Sequence, residues 1–203
     1  MITIFILLSS PKLDVQATYN IPTNIELTPN YEDLIKSDMD GIKYLKDVNN
    51  KIWFIKYKAI VYKYKDYVDQ PETIYDYYSD EELDKLFKVV QQEIGDYGFD
   101  EKCNVASVVW NRIECGLFGG IDLDEDILIS DQFSTISNGS IYDEDLIIDE
   151  DTILACEYTF MIEDTTNGCV YFESGKSDVH GEYAEFEFKD ISGTKYYKMR
   201  EGK

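Results

Sequence analysis

Hydrophobic and polar positions follow two different periods along this chain, and the change between them divides it. From Ile52 to Tyr67 the alternation is that of a β-strand. Trp53, Ile55, Tyr57, Ala59 and Val61 fall on one side, with Phe54, Lys56, Lys58 and Ile60 on the other. Lys63 and Lys65 continue the exposed side only with a shift of parity near Ile60, which predicts a bulge or hairpin turn there. Residues 18–50 carry Pro22, Pro29 and asparagine turns without a sustained period and read as loops with short elements. The apolar run Met1 to Ser10 reads as a buried strand, with a shortened signal peptide as the alternative. Residues 1–78 are therefore expected to be a strand-rich N-terminal segment.

From Ser79 the period becomes helical. Ser79 and Glu82 form a capping box, and Leu83, Leu86, Phe87 and Val90 share one face. Glu93 falls at the edge of that apolar stripe, where the helix ends, a position most acids avoid. Gly95 and Gly98 interrupt the pattern. A second helix carries Val105, Ala106, Val109, Trp110 and Ile113, with Gly116 as its stop. A third begins near Asp149, whose acidic neighbours suit a helix N-terminus, and runs to Met161. Strands follow at Cys169–Phe172, Tyr183–Phe188 and Lys195–Met199. A front of strands, three helices and closing strands argue for an α+β fold, with residues 79–203 as the second domain.

Charge narrows the possible partners. The 203 residues include 19 Lys and Arg against 41 Asp and Glu, a net charge of −22. Such a surface repels phosphate backbones, so a sequence-independent nucleic-acid partner is not expected. No apolar run is long enough to span a membrane as a helix. The charge is unevenly spread: residues 36–65 hold eight lysines and three aspartates, whereas Ile113 to Gly175 holds sixteen acids and no base. Asp122 to Asp126 is the densest acidic stretch. Read as a calcium loop it fails, because its sixth and twelfth positions are Ile127 and Phe133, not Gly and Glu. It reads as a solvated acidic face.

Metal and nucleophile chemistry find little support. Cysteines at 103, 115, 156 and 169 include no C-x-x-C pair, and the single histidine, His180, completes no zinc spacing. Cys103 and Cys115 on one helix would lie about 18 Å apart, too far for a disulfide, so reduced, packed thiols are expected. No metal and no cofactor is expected. His180 sits in a turn without a nucleophile elbow, and Gly119-Gly120 lacks the Gly-Lys-Ser/Thr of a phosphate loop. Carboxylate chemistry is what remains.

Four motifs in order select among the carboxylates. Glu93 is followed eighteen residues later by Asn111, within Val105-Ala106-Ser107-Val108-Val109-Trp110-Asn111-Arg112. Gln132-Phe133-Ser134 comes next, then Ser137-Asn138-Gly139. After the third helix come Thr166-Asn167-Gly168-Cys169-Val170-Tyr171-Phe172 and the closing Ile191-Ser192-Gly193-Thr194-Lys195-Tyr196-Tyr197. This series resembles the cell wall hydrolases related to spore cortex-lytic enzymes, over about 120 of the 203 residues. One departure is local: many members have a second acid and a glycine just after the glutamate, where this chain has Gly95, Asp96 and Tyr97.

The resemblance implies a lysozyme-like catalytic domain with a helical core and a small β subdomain. It also implies a peptidoglycan-cleaving glycosidase acting between MurNAc and GlcNAc, a lytic transglycosylase or, with a second carboxylate, an N-acetylmuramidase. Glu93 would be its catalytic acid. A carboxyl at the edge of an apolar stripe among other acids is in surroundings that favour the neutral, proton-donating form. Gln132 and Phe133 would line the cleft, with Ser137, Tyr171 and Asn111 as further substrate contacts. For Asn111 the other reading is an amide that ties its helix to a loop; Arg112 reads as a structural cation in an ion pair, and Trp110 as core. The partners implied are peptidoglycan glycan strands, and a virion or wall-anchoring partner through residues 1–78 in a virus-encoded or exported enzyme. The alternative is a non-enzymatic wall-binding or assembly protein that retains the fold.

Overall fold

The computed structural model describes residues 30–116, 123, 133–175 and 184–200. The expectations for Met1–Ser10, the acidic Asp122–Asp126 stretch, Gln132 and His180 concern residues outside this set, Leu123 excepted. The chain divides into two compact units between Pro71 and Glu72.

In the first unit the expected strands are replaced by helices. Helix α1 spans Tyr31–Ile42, its N-terminus capped by the Asn30 side chain, which accepts from Glu32 N. Helix α2 spans Asn50–Lys63, and Asn49 caps it by accepting from Ile52 N at 2.9 Å. The buried side chains of α2 are Trp53, Phe54, Lys58 and Val61, a helical spacing. Rings and cations pair along it at intervals of four: Trp53 stacks on Tyr57 at 5.1 Å, and the Lys58 ammonium lies 5.4 Å from the Phe54 ring. The strand-rich N-terminal segment is thus corrected among the described residues. Asp38 of α1 accepts from Lys63 Nζ at 2.7 Å and Tyr64 Oη at 3.0 Å, which joins α1 to the end of α2. Those two hydrogen bonds, the Lys63 one foremost, hold the Asp38 carboxyl below its ordinary pKa.

The second unit is mostly helical with a small sheet, an α+β arrangement. Helices α3 (Ile74–Tyr77) and α4 (Asp80–Ile94) both begin at capping boxes, Thr73 with Asp76 and Ser79 with Glu82. Helix α5 (Phe99–Cys115) ends at Gly116, whose φ of +61° is the left-handed turn expected of it. After a short α6 (Ser134–Ser137), helix α7 (Glu150–Met161) starts at Asp149, which accepts from Thr152 N at 2.8 Å. Burial holds the Asp149 pKa up, but hydrogen bonds from Lys102 and Thr152 outweigh it, and the carboxyl lies below its ordinary value. Lys102, buried on α5, meets it at 2.5 Å.

Leu83, Leu86, Val89, Val90 and Ile94 of α4 pack with Val105, Ala106, Val109 and Trp110 of α5 and Cys156 of α7. Trp110 is core as expected, and its indole nitrogen donates to Thr159 Oγ1 at 3.1 Å. Strands β1 (Tyr171–Glu173), β2 (Ala184–Lys189) and β3 (Lys195–Met199) form an antiparallel sheet in the order β1-β3-β2. The central strand places Tyr196 against Val108 of α5 and Cys169. All four cysteines are unpaired; Cys103, Cys156 and Cys169 are buried, and Cys115 is exposed. Burial pushes the Cys169 thiol up to about 12. No helix among the described residues is long and apolar enough to cross a membrane.

Candidate active site

Glu93 lies in the last turn of α4, half-buried, beside the fully buried Val89, Val90 and Ile94. Its Oε1 accepts from Ser134 Oγ at 2.9 Å and from Thr135 N at 3.4 Å. Both donors come from the first turn of α6, so a segment 41 residues downstream holds the carboxylate. Among the described residues Oε2 accepts no hydrogen bond. The surroundings of this acid are thus polar on one oxygen and apolar along the helix, where the sequence pattern led us to expect an apolar edge among other acids.

The two residues before Glu93 are fasteners. Gln92 Nε2 donates to Ser140 O at 2.6 Å, and Ser140 Oγ donates back to Gln92 Oε1 at 2.8 Å. Gln91 Oε1 accepts from Asp149 N at 3.1 Å and Thr152 Oγ1 at 2.6 Å. Three successive side chains therefore bind three points along residues 134–152. Gly95 makes room for the first of them: a Cβ there would lie 2.1 Å from Gln91 O and 2.4 Å from Gln91 Nε2.

The other wall grows from the end of α5. Asn111 Nδ2 donates to Thr166 Oγ1 at 3.1 Å and to Cys169 O at 3.0 Å. The amide thus ties its helix to the loop before β1. That loop turns through Asn167 (φ +57°) and Gly168 (φ +82°) and is cross-braced by Asp164, which accepts from Thr166 N, Thr166 Oγ1 and Gly168 N. Arg112 is buried; its Nε donates to Val170 O at 2.7 Å, and its guanidinium lies 4.6 Å from the centre of the Phe133 ring. Cation–π attraction of this kind strengthens when desolvated. Phe133 is itself buried, 2% exposed, with its ring 6.3 Å from that of Phe172.

The Phe133–Arg112 contact thus joins the segment that holds Glu93 to the segment that leads into Tyr171. Tyr171 is half-buried on β1 opposite Tyr197, and Ser137 is exposed, its hydroxyl donating to Ser134 O at 3.0 Å. Gln132 lies outside the described residues. Sequence reasoning missed the roles of Gln91, Gln92, Ser140 and the two donors to Glu93. The available signal was the run Gln91-Gln92-Glu93, three polar residues closing an otherwise amphipathic helix.

No family model matches the sequence, and no curated protein sequence does. Solved structures do match the fold. The catalytic domain of the germination-specific lytic transglycosylase SleB from Bacillus anthracis superposes with a TM-score of 0.53 at 19% identity, covering 61% of this chain and 98% of that one. The catalytic domain of the Bacillus cereus SleB protein gives a TM-score of 0.51 at 20% identity, covering 60% of this chain and 92% of that one. The chain therefore has the fold of the SleB catalytic domain, the cell wall hydrolase likeness that the motifs from Glu93 to Tyr197 led us to expect.

Proposed function

We propose that this chain cleaves peptidoglycan glycan strands between MurNAc and GlcNAc, as a lytic transglycosylase with Glu93 as its one catalytic carboxyl group. The observation that carries the reading is the placement of Glu93: on the fold of a lytic transglycosylase domain, it is held by two donors on one oxygen while the other oxygen takes none among the described residues. Oε1, fixed by Ser134 and Thr135, sets the orientation, and Oε2 carries the proton.

In the first step Glu93 gives its proton to the glycosidic oxygen as the bond from that oxygen to C1 of MurNAc breaks. In the second, the carboxylate takes the proton of the MurNAc 6-hydroxyl as O6 bonds to C1 and closes the 1,6-anhydro ring. Glu93 ends protonated as it began, no water is consumed, and a single carboxyl group serves both steps. A hydrolytic muramidase would need a second carboxyl group at a defined spacing.

Gln132 and Ser137 contact the N-acetyl and hydroxyl groups of the glycan, and Tyr171 donates to it near Glu93. Phe133, buried between Arg112 and Phe172, supports the cleft floor under the sugar. Asn111 acts from the helix side by holding the loop that carries Tyr171. The test is digestion of purified peptidoglycan by wild type and Glu93→Gln, with mass spectrometry of the released fragments. Fragments ending in 1,6-anhydro-MurNAc, lost in the variant, are expected. Ends one water heavier would replace the transglycosylase by a hydrolase. No release from any wall preparation would leave a binding or assembly protein on the same fold.

A further inference from the structure

Catalysis by a single carboxyl group makes its orientation decisive, because the same group must reach two different oxygens in turn. Glu93 lies in the last turn of its helix, and the residues after Ile94 (Gly95, Asp96 and Tyr97) form a turn with Asp96 and Tyr97 exposed. What fixes the geometry comes instead from the residue before it. Gln92 and Ser140 exchange two hydrogen bonds: Gln92 Nε2 donates to the Ser140 main-chain carbonyl at 2.6 Å, and the Ser140 hydroxyl donates to Gln92 Oε1 at 2.8 Å. The Ser140 hydroxyl also lies 3.4 Å from Thr135 O, and Thr135 N donates to Glu93 Oε1. A continuous path of polar contacts therefore runs from Gln92 through Ser140 and Thr135 back to the neighbouring residue, Glu93. Ser140 itself is held in register by Asn138 Oδ1, which accepts from its N–H at 2.8 Å, and by Gly139 at φ +78°.

We infer that Gln92 and Ser140 form a clamp that positions the catalytic carboxyl group, by fixing the spacing between the end of α4 and the segment that donates to Glu93. Neither residue touches the glycan; both act through Thr135 and Ser134. The inference rests on the proposal that Glu93 is the acid. Gln91, bound to Asp149 and Thr152, serves as the contrast, since it fastens the same helix to the start of α7 rather than to the turn just after α6.

The test compares wild type, Gln92→Leu, Ser140→Ala, Ser140→Thr, the Gln92→Leu/Ser140→Ala double variant and Gln91→Leu. It uses the full chain on soluble glycan strands, with melting midpoints measured on the same samples. Expected for Gln92→Leu and Ser140→Ala is a fall in kcat of about 10- to 100-fold with KM within about twofold of wild type. Ser140→Thr, which restores the hydroxyl, recovers kcat. The double variant is no worse than the poorer single variant in either kcat or melting midpoint. Gln91→Leu melts lower but keeps kcat.

Wild-type kcat in Gln92→Leu, while Glu93→Gln is inactive, overturns the clamp and leaves the proposed function standing. A kcat loss in Gln91→Leu equal to that in Gln92→Leu overturns it too, since general loosening of α4 then suffices. A wild type that releases no fragments removes the function and the positioning role together. Additive melting shifts in the double variant overturn the clamp whether or not the chain is active.

Discussion

The hydroxyl of Ser134 donates to Oε1 of Glu93 across 2.9 Å, linking the last turn of α4 to the first residue of α6. With Thr135 N it places both donors on the same carboxyl oxygen. A glutamine at 93 can accept both bonds through its own Oε1, so the exchange removes the proposed proton donor and keeps the contacts. Glu93→Gln is expected to lower fragment release by at least about 10³-fold, in the range a positioned acid supplies. Its melting midpoint is expected to stay within about 2 °C of wild type, which corresponds to about 0.5–1 kcal/mol. Calorimetry and the digestion assay on one preparation check both halves.

Asn111 makes two hydrogen bonds to the loop before β1. Asn111→Ala leaves Thr166 Oγ1 and Cys169 O without that donor, and about 1–3 kcal/mol of stability should go with it. KM for glycan strands should stay within about twofold. A raised KM at unchanged melting midpoint would mean that the amide reaches the glycan instead.

Asp149 makes stability depend on acid pH. Its carboxyl lies below the ordinary 3.8 in the folded chain. The contribution is therefore complete above that unfolded-state value and is lost as pH falls through the depressed folded-state value. Asp149→Asn keeps an effective N-cap but leaves the buried Lys102 ammonium without its carboxylate. With the carboxylate side chain 42% exposed, the loss should be about 2 kcal/mol at pH 7, below that of a fully buried pair. Denaturant midpoints of wild type and variant should begin to converge as pH falls below about 4 and go on converging through the depressed folded-state value.

Gly95 sits against Gln91 too closely for a side chain. Gly95→Ala should destabilise by about 1–3 kcal/mol, as overpacking does, despite the better helix propensity of alanine. A Gly95→Ala chain that melts above wild type would show that propensity wins.

How much of this was legible in the sequence depended on how local each signal was. Helices α4 and α5 announced themselves through the Ser79–Glu82 box, a 3.6-residue stripe and the left-handed Gly116, all of them signals within a few residues of where they act. Helix α2 was misread because its composition and its spacing disagree. Trp53, Ile55, Tyr57 and Val61 are residues that favour strands, and taken every second residue they fit a sheet. Trp53, Tyr57 and Val61 are equally four apart, and Asn49 stands where an N-cap belongs. The helix that formed buries Trp53 and Val61 of that second set and half-buries Tyr57.

The site divides in the same way. Glu93 could be found from its spacing to Asn111 and Arg112. Its donors at 134 and 135, and the pairing of Gln92 with Ser140 across 48 residues, are set by how α4 meets the later chain. No local pattern encodes that meeting.

The sheet order β1-β3-β2 has a consequence for synthesis. The central strand is made last of the three, and among the described residues both others pair only with it. A growing chain that has emerged only as far as residue 194 already carries every helix described here and the motifs from Glu93 to Phe172. It still leaves β1 and β2 with open edges and the place of Tyr196 beside Val108 unfilled. Until Lys195–Met199 arrives, the nascent second unit has unpaired strand edges, which are templates for aggregation. Holding factors or proteases at the ribosome would act on that species, and the final strand closes the window.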